Sequence, residues 1–159
     1  MEKKITTFLT FDGQAEEAIE LYTSIFPDSR VLSTTRYTAG APGPEGSLMS
    51  ATFELAGQEF MALNGGPSFS FSQGISLFVD CETQGEVDEL WEPLTAEGGK
   101  PGPCGWLTDR FGVSWQIIPR TLGELLANED ATKSQAVMQA MLQMGKIEIE
   151  GLQRAYEAA

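Results

Sequence analysis

The side chains best suited to covalent chemistry in this sequence are two cysteines, Cys81 and Cys104, and the chain contains no histidine. A cysteine nucleophile normally works with a histidine base. The lack of histidine therefore removes histidine-dependent triads, histidine general bases and histidine metal ligands together. We expect both cysteines to be reduced, buried thiols, as is usual in a cytosolic protein.

The composition predicts a soluble, acidic, globular protein. The chain has 159 residues, of which 42% are hydrophobic, and its formal net charge is −13. This length fits one domain, or two small domains that share a core. The negative charge would repel nucleic acid, no run approaches the roughly 18 apolar residues of a membrane span, and the start lacks a secretory pattern. We expect a cytoplasmic protein with no nucleic-acid or membrane partner.

One stretch of the chain occurs twice. The second copy is Asp109–Pro119 and the first is Glu54–Asn64; each has an acidic residue, a glycine three positions later, an aromatic residue and then a strand pattern. This pattern is typical of a β-hairpin, because the glycine suits a turn position with positive φ and the acid can accept hydrogen bonds from the turn backbone. The aromatic residues, Phe60 and Trp115, suit the following half-buried strand.

The segments before each hairpin repeat as well. A strand over Ile5–Phe11, a helix that begins near Ala15 and stops at Pro27, and a strand over Arg30–Thr38 precede the first hairpin. Glycine and proline dominate residues 39–46, which predicts an irregular loop. The unit is therefore strand, helix, strand and hairpin.

The second copy follows the same order. A strand over Ile75–Val79 leads to a helix whose start, Thr83–Glu86, fits a capping box. A short strand near Lys100–Cys104 then precedes the second hairpin.

After Pro119 the pattern becomes helical, with apolar stripes at Leu122, Leu125 and Leu126, at Val137, Met138, Met141 and Leu142, and at Ile149, Leu152 and Tyr156. We expect these helices to pack against the domain or a second subunit.

A doubled βαβββ unit that closes on an Asp-x-x-Gly-x-x-Trp hairpin resembles the vicinal oxygen chelate superfamily, which includes glyoxalase I, extradiol dioxygenases and bleomycin-resistance proteins. The chain is most similar to the PhnB-like branch, whose members often carry the label 3-demethylubiquinone-9 3-methyltransferase. The segments that carry this resemblance are Phe11–Ala18, Phe26–Arg30, Ala62–Pro67, Val79–Thr83, Cys104–Gly112 and Val137–Met144.

The resemblance implies an α+β fold in which two βαβββ modules form a curved mixed-sheet cup, followed by a C-terminal helical tail. We place the modules at residues 1–67 and 68–120 and the tail at residues 121–159. Strand alternation then sorts the side chains. Leu9, Phe11, Ile75, Leu77 and Val79 are expected to face the helices, and Gly74 to face the pocket. The ligand-binding candidates are Thr6, Phe8, Met61, Asn64, Ser76, Phe78, Trp106 and Gln116.

In metal-using relatives, four ligands lie on the first and last strands of the modules. The resemblance places Thr6, Gly74, Met61 and Gln116 at those positions. Glycine has no ligand side chain, and methionine and threonine are poor donors to hard divalent ions. We therefore predict a metal-free cup without a cofactor.

Three functions stay open from the sequence. The first is a metal-free small-molecule-binding protein that forms a homodimer. The second is an enzyme, for which no catalytic residue can be assigned. The label names a methyltransferase, but Asp12–Glu16 after the first strand lacks the Gly-x-Gly turn of a typical S-adenosylmethionine site. A glyoxalase-type lyase or a dioxygenase is disfavoured because the metal ligands are missing. The third is an interaction or scaffold role for the C-terminal helices.

Overall fold

The computed structural model describes residues 3–159, which form two compact units, one that ends at Ser70 and one over Phe71–Ala159. Among these residues, no helix is both long and apolar enough to cross a membrane. The boundaries predicted at residues 67 and 120, and the closure of two sheets into one cup, stay predictions.

The first unit has the predicted βαβββ order. Its elements are β1 (Thr7–Phe11), α1 (Ala15–Ile25), β2 (Arg30–Arg36), β3 (Leu48–Leu55) and β4 (Gln58–Asn64). The strands form a mixed sheet in the order β1-β4-β3-β2, in which β1 runs parallel to β4 and the other pairs are antiparallel.

Helix α1 covers one face of this sheet because its apolar residues recur at helical spacing. Ala15, Ala18, Ile19 and Tyr22 are all buried. On the sheet side, Phe53 and Phe60 are buried as a cross-strand pair whose rings stack with centroids 5.6 Å apart. The core of the unit therefore lies between α1 and one sheet face, as the alternation of the strands predicts.

The second unit repeats this arrangement and then extends it. Its elements are β5 (Leu77–Cys81), α2 (Gln84–Thr95), β6 (Lys100–Pro101), β7 (Trp106–Thr108), β8 (Ser114–Pro119), α3 (Arg120–Leu126), α4 (Ala131–Met141) and α5 (Ile149–Ala158). The sheet order is β5-β8-β7-β6, again with one parallel pair, β5 and β8. The predicted α+β class, with two βαβββ modules and a helical tail, is confirmed.

The two hairpins use their turn residues differently. In the first, Ala56 and Gly57 both have positive φ, 48° and 80°, as a two-residue turn between twisted strands requires. Glu54 does not hold this turn, because it pairs instead with Arg30 on the neighbouring strand at 3.1 Å. In the second hairpin, the predicted role of the acid is confirmed, since Asp109 Oδ1 accepts hydrogen bonds from the backbone N–H groups of Phe111 and Val113 at 2.9 and 3.0 Å.

Several element boundaries differ from the sequence prediction. The first strand begins at Thr7, and the strand predicted from Ile75 begins at Leu77. Ile75, which was expected to face the helices, is instead 79% exposed, because it lies before the strand and makes no ladder contact that would fix its side. At α2, Thr83 Oγ1 accepts from the Glu86 N–H as predicted, while the Glu86 carboxylate accepts from the N–H of Glu82.

The helical tail packs on its own unit through a separate apolar cluster. Leu122, Val137, Ile147 and Leu152 are buried there, and Ile118, at the end of β8, packs against them. The side chain of Gln84 links the tail to α2, since Nε2 donates to the Ile147 carbonyl at 3.0 Å and Oε1 accepts from the Ile149 N–H at 2.7 Å. The tail is therefore held to its unit both by apolar packing and by hydrogen bonds from a side chain to its backbone.

The segment before α5 also holds the turn that leads into β7. The N–H groups of Cys104 and Gly105 each donate, at 2.8 Å, to the carbonyls of Met144 and Gly145. Gly105 has a φ of 84°, and a Cβ there would lie 2.6 Å from Ile118 Cδ1. Only glycine therefore permits this close approach of the turn to the tail and to β8.

Candidate ligand-binding site

The second sheet brings the predicted residues Phe78, Gln116 and Trp106 into one cross-strand row. Phe78 is directly opposite Gln116 across the parallel pair, and Gln116 is directly opposite Trp106 across the antiparallel pair. Residues in such a row point to the same face of a sheet. Phe78 is 60% exposed, so the row presents an aromatic surface that no residue of its own unit covers fully.

Ser76 orients the amide at the centre of this row. Gln116 Nε2 donates to Ser76 Oγ at 2.9 Å, across the gap between β8 and the residue before β5. This bond fixes the rotation of the amide and leaves the carbonyl oxygen Oε1 to accept from a ligand. Four of the eight predicted site residues are thus brought together on one face.

A cavity of about 420 Å³ adjoins the row through Trp106. Its volume lies within the range of small-molecule sites. Besides Trp106, its lining consists of Gln73, Lys100, Pro101, Gly102, Pro103, Leu107, Thr108 and Ser114. The sequence interpretation missed Lys100, Thr108 and Ser114, although Ser114 could have been found, because it lies two positions before Gln116 on the same strand.

Ser114 is the unusual member of this lining. The residue is 3% exposed, and its Oγ has no hydrogen-bond partner in the described part of the chain. A buried hydroxyl without a partner costs about 1–3 kcal/mol. Such a cost within a cavity wall is typical of a position where a ligand or solvent molecule completes the hydrogen bonding.

The first unit places its candidates in two groups. Phe8 is opposite Met61 across β1 and β4, and Phe8 is 48% exposed, so these two form the matching apolar pair of the first sheet. Thr6 lies just before β1 and is partly exposed. The three residues are therefore accessible at the start of β1 and on the adjacent strand.

Asn64 has a different surrounding. Its Oδ1 accepts from the Ala15 N–H at 2.9 Å, and its Nδ2 donates to the Leu48 carbonyl at 2.9 Å. The amide therefore holds the start of α1 to the sheet.

Asn64 also borders a cavity of about 380 Å³ that is lined by Tyr37 and the glycine-proline loop. Tyr37 fastens that loop, because its hydroxyl donates to the Asn64 carbonyl at 3.2 Å and Gly43 packs on its ring.

Trp115 lies on the opposite face from Gln116, as predicted. It is 2% exposed, and its indole Nε1–H donates to Asp109 Oδ2 at 2.9 Å. The same carboxylate that holds the hairpin turn therefore also holds the tryptophan. Trp115 belongs to the core and supports the site from behind.

The residues do not match a metal centre of the kind that metal-using relatives contain. Over residues 3–159, no group of three or more His, Cys, Asp or Glu side chains lies where it could hold a metal ion. Of the four positions that the resemblance assigns to metal ligands, Gly74 and Gln116 belong to the second unit, and only Gln116 carries a side-chain oxygen, in an amide that Ser76 already orients. A single neutral amide is a weak ligand for a divalent transition metal.

Cys81 is unsuited to nucleophilic chemistry. Both cysteines are free thiols; Cys81 is fully buried and Cys104 is partly exposed, so the prediction of burial is correct for Cys81 only. Burial, with a smaller contribution from the nearby negative charges of Glu86 and Asp80, raises the pKa of the Cys81 thiol to about 12. Cys81 therefore stays protonated at neutral pH.

Comparison with known proteins extends these observations. The model of the family described as 3-demethylubiquinone-9 3-methyltransferase matches residues 3–118. A putative 3-demethylubiquinone-9 3-methyltransferase, PhnB protein, from Bacillus cereus is similar at 42% identity and a TM-score of 0.68, with 74% of this chain and 99% of that chain covered. No curated protein matches the chain.

Two further solved structures share the fold. A protein from Pseudomonas aeruginosa has 22% identity and a TM-score of 0.59, over 74% of this chain and 98% of its own. The fosfomycin resistance protein FosX from Listeria monocytogenes, solved with Mn(II) and sulfate, has 17% identity and a TM-score of 0.53, over 72% of this chain and 89% of its own. At these identities the similarity concerns the fold alone.

Proposed function

Because the chain belongs to the 3-demethylubiquinone-9 3-methyltransferase family, in the PhnB-like branch of the vicinal oxygen chelate superfamily, we propose that it is a metal-free small-molecule-binding protein. The observation that carries the proposal is the row of Phe78, Gln116 and Trp106, in which an exposed aromatic ring lies beside an amide that is already oriented.

The row has the two properties that a binding surface needs. Covering the exposed part of Phe78 with an apolar ligand would contribute about 1–2 kcal/mol. The Gln116 carbonyl adds a directional hydrogen bond, and because Ser76 fixes the amide in advance, little side-chain freedom is lost on binding. The adjoining cavity provides depth beside this surface.

The donor set supports a function without a metal. The positions that correspond to metal ligands hold Thr6, Gly74, Met61 and Gln116, which together offer one hydroxyl, one thioether and one amide. Such a set is too weak to activate a metal-bound oxygen. Isothermal titration of chelator-treated protein with Ni²⁺, Zn²⁺, Fe²⁺ and Mn²⁺ should give no submicromolar binding. Submicromolar binding that Gln116→Ala abolishes would refute this part of the proposal.

Methyl transfer is the second candidate, because the family description names it. The sheets argue against it. A typical S-adenosylmethionine site uses a doubly wound parallel sheet with a glycine-rich turn, whereas the described residues form two four-stranded mixed sheets with one parallel pair each. S-adenosylmethionine therefore belongs in any ligand screen as the probe that discriminates the two functions.

A thermal-shift screen followed by calorimetry tests the proposal. The screen should contain neutral, anionic and cationic aromatic compounds and S-adenosylmethionine. We expect an aromatic compound to bind, and Gln116→Leu to weaken it about tenfold, the size of a lost directional hydrogen bond. Gln139→Leu is the matched control, because Gln139 is exposed on α4 away from the site. If a ligand binds the Gln116→Leu and Phe78→Ala variants with the same affinity as the natural protein, its binding site lies elsewhere.

A further inference from the structure

The ammonium group of Lys100 has no partner among residues 3–159, although the protein is acidic. The chain has 23 acidic and 10 basic residues, and several of the basic side chains pair with carboxylates, as Arg30 does with Glu54 and Arg120 with Asp80. Within the described part of the chain, Lys100 forms neither an ion pair nor a side-chain hydrogen bond. It lies at the cavity of the second unit, whose lining contains no acidic residue.

Lys100 is the first member of a second cross-strand row. It is directly opposite Thr108 across β6 and β7, and Thr108 is directly opposite Ser114 across β7 and β8. One face of three neighbouring strands therefore carries an ammonium group and two hydroxyl groups side by side. Each can donate to an anionic oxygen, and the Ser114 hydroxyl is the buried one that has no partner.

The two rows lie next to each other on the same face. Trp106 is two residues before Thr108, and Gln116 is two residues after Ser114, so the aromatic row follows the polar row at roughly 6–7 Å along the strands. A polar, positively charged row beside an aromatic row matches a ligand with two ends. One end is anionic and the other is flat and apolar.

We propose that this site takes a small aromatic monocarboxylate. The carboxylate accepts from Lys100, Thr108 and Ser114, and the ring lies on the row of Phe78, Gln116 and Trp106. The single cation fits one negative charge better than the two of a phosphate monoester. This inference rests on the proposed binding function and adds the chemical class and the orientation of the ligand.

The separation of the two rows predicts how far the carboxylate of the ligand must lie from its ring. A carboxylate attached directly to a ring is too short to reach the hydroxyl row while the ring covers Phe78. A carboxylate that two methylene groups separate from the ring spans more of that distance. 3-Phenylpropionate should therefore bind more tightly than benzoate. A neutral compound with the same shape as 3-phenylpropionate should bind less tightly than 3-phenylpropionate itself.

Calorimetry at low salt with 3-phenylpropionate and its uncharged analogue 3-phenylpropionamide is the test, with benzoate as the short-chain comparison. We expect the carboxylate to bind about three- to tenfold more tightly than the amide, the range for a partly exposed charged hydrogen bond. Lys100→Gln should remove that preference and leave the affinity for the amide unchanged. Ser114→Ala should weaken the carboxylate without unfolding the protein, because it removes a hydroxyl that has no partner.

Arg154→Gln is the matched control, since it removes one positive charge from the exposed side of α5, outside the cavity lining. Two results would overturn the assignment of an anionic ligand: equal affinities for 3-phenylpropionate and 3-phenylpropionamide, or an equal loss of carboxylate affinity in Lys100→Gln and Arg154→Gln. Neither result would overturn the proposed binding of aromatic ligands. If no phenyl probe binds, the inference fails. If the wider aromatic screen is also empty, the proposed function fails with it.

Discussion

Trp115 and Gln116 are consecutive residues of β8 whose side chains are held on opposite faces of the second sheet by different partners. The indole of Trp115 donates to Asp109 within the core, and the amide of Gln116 donates to Ser76 on the accessible face. Trp115 therefore belongs to the core, and we propose that its neighbour Gln116 serves binding. The first prediction separates these two roles.

Trp115→Ala should lower the free energy of unfolding by about 3–5 kcal/mol, because it leaves a large cavity in the core. Gln116→Leu should change that free energy by less than about 1 kcal/mol, since it removes one partly exposed hydrogen bond. Urea denaturation followed by circular dichroism measures both. If Gln116→Leu unfolds the protein and Trp115→Ala does not, the two faces have been assigned the wrong way round.

The buried carboxylate of Asp109 gives a second prediction. It accepts two backbone hydrogen bonds in the hairpin turn and one from the Trp115 indole. Asp109→Asn keeps the shape but replaces one acceptor oxygen with an N–H₂ donor that faces another donor. We expect a loss of about 1–3 kcal/mol in unfolding free energy. Glu54→Gln in the first hairpin is the control and should cost little, because Glu54 pairs with an exposed arginine. Equal losses in the two variants would contradict the assigned role of Asp109.

The raised pKa of Cys81 predicts both slow labelling and a pH dependence. The folded state favours the protonated thiol, since its pKa rises from 9.0 to about 12. This contribution to stability is complete below pH 9 and is lost as pH rises through 9 towards 12. The unfolding free energy of the natural protein should therefore fall more steeply above pH 9 than that of Cys81→Ala.

In native protein at pH 8, iodoacetamide should label Cys104 before Cys81, which mass spectrometry of digested protein can follow. Rapid native labelling of Cys81 would count against its burial.

A homodimer remains our proposal for the assembly. Two residues of the predicted apolar stripe are exposed, Met138 on α4 and Leu142 directly after it, while Val137 on α4 is buried in the tail cluster. Exposed apolar residues at helical spacing are typical of a contact surface. Light scattering at micromolar concentration should give twice the mass of the 17.3 kDa chain, and Leu142→Lys should reduce it while Gln139→Lys does not. A monomer mass for the natural protein would refute this proposal.

The order of elements was predictable because each module carries its own turn signals. Gly57 and Gly112 lie with positive φ in the turns of the two hairpins, and Thr83 caps the start of α2, so local chemistry sets these positions. Alternation along each strand, applied to the cup that the resemblance implies, then placed Phe78 and Gln116 on one face. The turns needed only local spacing, and the common face needed the resemblance as well.

The missed residues depend on pairing between strands. Strand β6 has two residues, which is too short to show alternation, and Lys100 joins the polar row only through its register with Thr108. The part that Asn64 plays in holding α1 likewise depends on the approach of the helix start to the end of β4. Register and close approach are set by the folded sheet, and neither can be read from one segment of sequence.

The bonds from Cys104 and Gly105 to Met144 and Gly145 have a consequence for the timing of folding. The turn beside the cavity is synthesised long before the segment that fastens it. On a ribosome, the first unit can therefore complete its sheet while the second still lacks both the fastening segment and the buried Ile147. We therefore expect the proposed ligand binding of the second unit to be acquired late by a nascent chain, after the family-matched residues 3–118 have already been made.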